Sequence, residues 1–171
     1  MLIILLLPLV AGLGFIAIGP EHVYTWIAGP ADQGGVDFAT LQRRSQPTDS
    51  LACTVHLCRI RVDLPLPVYA ETPAVLMERL DAVVLADIGN LTRVDDGSRP
   101  NYRRYVARTA AMRFPDTIDA EAQTIAGGTG LMIYGRSQLG TGDWGVNLGR
   151  QRGWAAGLAL LAPPDNSLPT S

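Results

Sequence analysis

Apolar residues dominate the start of the chain, and residues 1–18 carry no charged side chain. A helix needs ~20 apolar residues to cross a bilayer, so residues 1–27 are predicted to form one transmembrane anchor. A secretory signal peptide and a buried helix of a soluble core are the alternatives. Small and aromatic side chains of this segment are candidates for contacts within the membrane: Gly12, Gly14, Tyr24 and Trp26.

Helix-breaking residues then separate this segment from the rest of the chain. Gly29-Pro30 and Gly34-Gly35 fall within residues 28–49, which are predicted to be a linker. A globular domain is expected at 50–162, followed by a disordered tail at 163–171.

Two helices are predicted in the globular domain. The first has Thr72 as its N-cap, Pro73 in its first turn and Gly89 at its end, with apolar residues at helical spacing between them. The second covers residues 143–161, with Asp143 at its positive end. Its regularly spaced glycines would form a smooth groove that packs on another helix or on the sheet of the same domain: Gly145, Gly149, Gly153 and Gly157.

Four strands are predicted between these helices, at residues 91–94, 102–114, 117–125 and 129–137, because polar and apolar residues alternate there between turn-forming residues. Consecutive strands with short connections favour an antiparallel sheet. The predicted fold is therefore α+β, with an antiparallel sheet of about four strands, two main helices and the N-terminal transmembrane helix.

Composition excludes several functions. The net charge is −2, so no basic surface for nucleic acid is expected. All 14 basic residues are arginines, which excludes a Schiff-base lysine and a phosphate-loop lysine. No cofactor motif is found, since the glycine spacing at 140–145 lacks the strand that must follow in a dinucleotide fold.

The two cysteines, Cys53 and Cys58, have four residues between them. A disulfide is predicted, which suits an oxidising compartment. Free thiols and a metal site with His56 are the alternatives, although that site would have three ligands where structural zinc takes four.

A motif marks the C-terminal third: R-F-P-D at 113–116, then R-S-x-x-G-x-x-D-x-G-x-N-x-x-R at 136–150. This pattern resembles the domain-of-unknown-function 1499 family of bacterial and plastid proteins, over roughly residues 48–161. Pro47-Thr48-Asp49 departs from the Pro-Asn that similar proteins carry before the first cysteine. The resemblance implies no particular reaction, and together with the cysteines it favours a periplasmic domain.

The charged residues of the motif are expected to be structural. Asp116 and Asp143 could serve as acid and base, but caps and ion pairs are the favoured interpretation because buried charges need partners. No nucleophile elbow is found. Catalysis by a Ser/His/Asp set is not indicated, since the two histidines are His22, near the membrane segment, and His56, between the cysteines. The predicted network consists of Arg113, Asp116, Arg136, Ser137, Asp143, Asn147 and Arg150.

These observations predict a non-enzymatic envelope protein at the inner membrane, spanning it once. Its expected partners are membrane lipid and a membrane protein complex, of which it would be an accessory or docking subunit. Arg43 and Arg44 favour a cytoplasmic domain, whereas the cysteines favour the periplasm. The alternative function is a periplasmic module that binds a lipid or another apolar small molecule, and an apolar cavity of ~300 Å³ or more would favour it over docking.

Overall fold

The computed structural model of the chain describes residues 10, 12–85 and 90–162. Four helices and six strands occur there. The helices are α1 (12–18), α2 (Pro20–Ala28), α3 (Pro73–Val84) and α4 (Val146–Leu160). The strands are β1 (Asp49–Thr54), β2 (Leu64–Leu66), β3 (Leu91–Arg93), β4 (Tyr102–Arg108), β5 (Pro115–Ile125) and β6 (Gly128–Ser137).

The strands form one mixed sheet in the order β2-β1-β6-β5-β4-β3. β1 and β2 are parallel, and the other neighbours are antiparallel. The longest pairing joins β5 and β6, from Asp116 opposite Ser137 to Ile125 opposite Gly128. Gly127 and Gly128 have φ values of 87° and 146°. Such backbone angles suit glycine and allow the tight turn between the two strands.

Helices α3 and α4 cover one face of the sheet, which we call the inner face. The main apolar core lies between them and includes Leu76, Leu80, Ile118, Leu131, Ile133 and Leu158. Two glycines allow close approaches here. A Cβ at Gly135 would lie 2.8 Å from Oδ1 of Asn147 on α4, and one at Gly157 would lie 2.6 Å from Cγ1 of Val83 on α3. Part of the glycine series in α4 therefore serves packing between helices, whereas Gly149 and Gly153 have no neighbour within 4 Å of a built Cβ.

The opposite, outer face is covered as well. Residues 30–46, which we call the covering segment, and the loop that holds Cys58 pack over it. Thr117 on β5 accepts a hydrogen bond from the backbone N–H of Gln33 and donates one to the carbonyl of Ala31. All six residues of β1 are buried as a result.

Because the outer face is covered, its charged side chains are buried and paired. Arg136 Nη1 lies 3.0 Å from Asp119 Oδ2, and both side chains are almost completely buried. Tyr102 also donates a hydrogen bond to Asp119. At the start of β1, Arg43 pairs with Asp49 at 2.9 Å. Ion pairing offsets much of the desolvation that burial imposes on these charges.

The predicted fold class is wrong in the number of strands, helices and sheet neighbours. The sheet has six strands and is mixed, and the described residues form four helices. Both additional strands, β1 and β2, fall where no strand was predicted. β1 is buried on both faces, so it lacks the alternation of a half-buried strand, and β2 contains Pro65, which is tolerated because β2 is an edge strand.

The predicted transmembrane anchor at residues 1–27 is contradicted. Residues 1–9 and 11 lie outside the described part of the chain, and none of the helices described combines the length and apolar character needed to cross a membrane. Gly19, with φ 89°, separates α1 from α2. On α2, Glu21 pairs with Arg113 at 2.8 Å, and Tyr24 donates a hydrogen bond to the carbonyl of Met112. The predicted single-pass localisation in the inner membrane is contradicted as well, because it depends on this anchor.

Other predictions fare differently. Cys53 and Cys58 form a disulfide, as predicted. The expected helix end at Gly89 and the expected disordered tail at 163–171 lie outside the described residues.

The buried pair Arg136–Asp119 yields a stability prediction. Replacing Arg136 by alanine leaves the buried Asp119 without its ion-pair partner, so Arg136→Ala should lower the free energy of unfolding by ~3–5 kcal/mol. Urea unfolding followed by circular dichroism measures this loss. The control is Arg61→Ala, whose side chain is 71% exposed and pairs with Asp63 at 3.5 Å; it should cost ~0–1 kcal/mol. Equal losses in the two variants would contradict the account.

Candidate functional site

A cleft of about 680 Å³ opens where the inner face of the sheet meets the start of α4. We call it the Trp144 cleft. Its walls are largely apolar, and its floor is formed by two polar side chains from adjacent strand ends, Asp116 and Ser137. The apolar wall consists of Phe114, Leu139, Trp144 and Val146.

One wall belongs to the turn between β4 and β5. Thr109 donates its N–H to the carbonyl of Phe114 and accepts the N–H of Phe114 on its Oγ1. Arg113 within this turn has φ 59°, and it donates to Glu21 at 2.8 Å and to Asn90 at 2.7 Å. These contacts close the turn and hold the ring of Phe114 at the cleft.

The opposite wall belongs to the loop between β6 and α4. Its backbone is tied down at both ends, since Gln138 donates to the carbonyl of Pro115 at 3.0 Å and Asp143 donates to that of Pro47 at 3.1 Å. The side chain of Gln138 also donates to the carbonyls at the end of α2, including that of Ala28. The wall is therefore preformed by hydrogen bonds.

Trp144 is presented to solvent by this loop. Its side chain is 99% exposed, and its φ of 53° is uncommon for a bulky residue. The Asp143 carboxylate accepts the N–H groups of Gly145 at 2.9 Å and Asn147 at 3.2 Å, which fixes the turn at the start of α4. Strained backbone and an exposed indole together favour a role outside folding.

Hydrogen bonds connect the floor to α4. Ser137 donates to Asp116 at 2.6 Å, and Asn147 donates to Ser137 at 3.2 Å. Arg150 Nη1 lies 3.3 Å from Asp116 Oδ2 and 3.0 Å from Asn147 Oδ1. The absence of a side chain at Gly135 lets Asn147 reach this position.

Burial raises the pKa of Asp116 above its ordinary value of 3.8, since desolvation disfavours the carboxylate. Its hydrogen bond from Ser137 and the charge of Arg150 act in the opposite direction, while the nearby Asp143 carboxylate adds to the increase. The floor thus holds an acid that is nearly closed off from water, with Asp116 2% exposed.

No family model, no curated protein and no solved structure matches this chain. The resemblance to the domain-of-unknown-function 1499 family stays a prediction. Function is therefore argued from the Trp144 cleft itself.

The structure brings together four residues of the predicted network: Asp116, Ser137, Asn147 and Arg150. Asp143 lies beside them at the start of α4. The other two are elsewhere: Arg136 points to the outer face and pairs with Asp119, and Arg113 contacts Glu21.

The four residues expected to make membrane contacts have different surroundings. A Cβ at Gly12 or Gly14 would meet nothing within 4 Å. Trp26 is exposed. Tyr24 is buried against Phe15 and Phe114 of the chain itself.

Sequence reasoning missed the apolar walls. Leu139, Trp144 and Val146 stand singly in a glycine-rich stretch, and no periodic pattern groups them with Phe114. An available signal was Trp144 itself, a large aromatic residue between Asp143 and Gly145, outside any apolar stripe.

Within the described part of the chain, no group of three or more His, Cys, Asp or Glu side chains is placed to hold a metal ion.

The raised pKa of Asp116 predicts a pH dependence. Between 3.8 and that raised pKa, the folded protein binds more protons at this site than the unfolded chain, so the stability contribution of Asp116 falls as pH rises. The amide introduced by Asp116→Asn does not titrate. The free energy of unfolding of the wild type minus that of Asp116→Asn should therefore decrease from about pH 4 to pH 7.

Urea denaturation at several pH values measures this difference. Asp96→Asn is the control, because hydrogen bonds from Ser98 lower the pKa of Asp96 below its ordinary value of 3.8, so the contribution of Asp96 should be nearly constant from pH 4 to pH 7. A wild-type advantage over Asp116→Asn that grows with pH would contradict the assignment.

Proposed function

We propose that this protein is a non-enzymatic binding module that holds a small, mainly apolar molecule in the Trp144 cleft. The observation that carries the proposal is the cleft itself, an apolar concavity of about 680 Å³ with a few polar groups on its floor. Small-molecule sites typically measure about 300–1,000 Å³ and combine apolar walls with a small number of polar groups that orient the ligand.

The exposed indole of Trp144 supports the proposal. An indole that is almost fully exposed in the free protein contributes little to folding, but it can bury a large apolar area against a bound molecule. The loop that carries it is held by backbone hydrogen bonds to Pro47 and Pro115. A wall fixed in this way loses little conformational entropy when a ligand binds.

The polar floor supports binding rather than catalysis. Ser137 donates to Asp116 and accepts from Asn147, so its hydroxyl is engaged on both sides. The two histidines of the chain, His22 and His56, are exposed and do not line the cleft. A serine nucleophile needs a neighbouring base to take its proton, and neither histidine lies in the cleft beside Ser137 to do so.

Removing the indole tests the proposal. We expect Trp144→Gly to weaken binding of a neutral apolar dye such as Nile red by about fivefold to tenfold, because an aromatic contact contributes ~1 kcal/mol. Thermal stability should be unchanged or higher, since glycine adopts φ values near 53° without strain. Dye fluorescence measures affinity, and circular dichroism measures melting.

Leu160→Ala is the matched control for this experiment. Leu160 is an exposed apolar residue of α4 that does not line the cleft, so its removal should change neither dye affinity nor melting. If Trp144→Gly binds the dye as tightly as Leu160→Ala does, the cleft is not the binding site.

Docking on a partner protein is a second candidate function, favoured by the apolar surface of α1 and α2. Leu13, Ile16, Trp26 and Ile27 are all exposed there. Large exposed apolar side chains are often found at interaction surfaces, and these four lie on two helices that follow one another in the chain. The contacts of Glu21 and Tyr24 hold this surface against the globular domain, so a partner would meet both together.

This second candidate predicts a stable complex in mild-detergent extracts of the native source. Trp26→Ser should reduce recovery of one stoichiometric partner, because large exposed aromatic residues are frequent anchors of interfaces, whereas Leu160→Ser should not. Quantitative mass spectrometry of the tagged variants measures the recovery. Identical partner profiles for the two variants would eliminate docking through α2.

A further inference from the structure

Two carboxylates line the Trp144 cleft. Of the described residues that line it, Asp116 and Asp143 are acidic and none is basic. Arg150 contacts Asp116 from α4 but is not among the lining residues. A bound molecule therefore faces two acids at the polar end of an apolar space.

Asp116 retains hydrogen-bonding capacity. A carboxylate offers about four acceptor positions. Within the described chain, Asp116 accepts one short bond from Ser137 at 2.6 Å and one longer bond from Arg150 at 3.3 Å. A donor supplied by a ligand would find acceptor positions that are shielded from water, where charge-assisted hydrogen bonds are strengthened.

The aromatic walls suit the apolar body of such a ligand. Phe114 and Trp144 both line the cleft. Aromatic side chains bury a large apolar area against a bound molecule. An anionic head group at the polar end of the cleft would instead meet two carboxylates, at a cost that grows as water is excluded.

From this arrangement we infer that the ligand of the Trp144 cleft is a cationic amphiphile, with an ammonium head group on the Asp116 carboxylate and an apolar body between Phe114 and Trp144. This inference rests on the proposed function, because it names the ligand class of the same site. Asp143 adds negative charge near the head group, while its carboxylate remains bonded to the N–H groups at the start of α4.

The test compares three ligands with the same apolar chain and different head groups: decylammonium, decanol and decanoate. Isothermal titration calorimetry of the full chain at neutral pH, below the micelle-forming concentrations, measures the three affinities. We expect one saturable site, with decylammonium bound roughly tenfold more tightly than decanol and decanoate bound most weakly.

Two variants identify the carboxylate responsible. Asp116→Asn keeps the shape of the floor and should abolish the tighter binding of decylammonium relative to decanol. Asp96→Asn removes the same charge from an exposed position outside the cleft and should leave the preference intact.

The outcomes separate the two proposals. If none of the three ligands binds at a saturable site, the proposed function itself is wrong. If decanol or decanoate binds as tightly as decylammonium, the cleft binds apolar molecules and the inferred head group is wrong. If the ammonium preference persists in folded Asp116→Asn, the head group does not lie on Asp116, and the inference is overturned.

Discussion

The central constraint of this structure is that its β5–β6 pair is covered on both faces. Helices α3 and α4 pack on the inner face, and the covering segment packs on the outer face. Successive side chains of a strand point to opposite faces, so Arg136 and Ser137 enter different buried environments. Arg136 pairs with Asp119 beneath the covering segment, and Ser137 bonds to Asp116 beneath α4.

The Trp144 cleft lies where the sheet stops being covered on both faces. Gly135 lets α4 begin close to the sheet, with Asn147 bonded to Ser137. Beyond that contact, the loops that hold Phe114 and Trp144 continue past the sheet and leave an apolar space between them. The polar floor is therefore the end of the buried network, and hydrogen bonds made elsewhere in the fold set its geometry.

Patterns of neighbouring residues, such as alternation, turns and helix caps, predicted the strands and the helix start that depend on them. Strands β3, β5 and β6 lie near the predicted positions because alternation and glycine turns mark them, and α3 starts at Pro73 as its cap indicated. Strand β4 starts where predicted but ends at Arg108, not at 114. β1 shows no alternation because both its faces are buried. The apolar start of the chain suggested a spanning helix, but contacts such as that of Tyr24 with Met112 are long-range and leave no sequence pattern. The grouping of Asp116, Ser137, Asn147 and Arg150 was predictable from the motif, whereas the apolar walls depend on loops distant in sequence.

The most direct measurement of the central claim is a nuclear magnetic resonance titration of the isotope-labelled full chain with decanol. The account predicts saturable chemical-shift changes, concentrated in the amides of residues 139–146 and of Phe114. The amides of α3 and of the covering segment should barely change, because the walls of the cleft are preformed. Shifts that increase without saturation, or that concentrate on Trp26 and Ile27 instead, would contradict a ligand site in the Trp144 cleft.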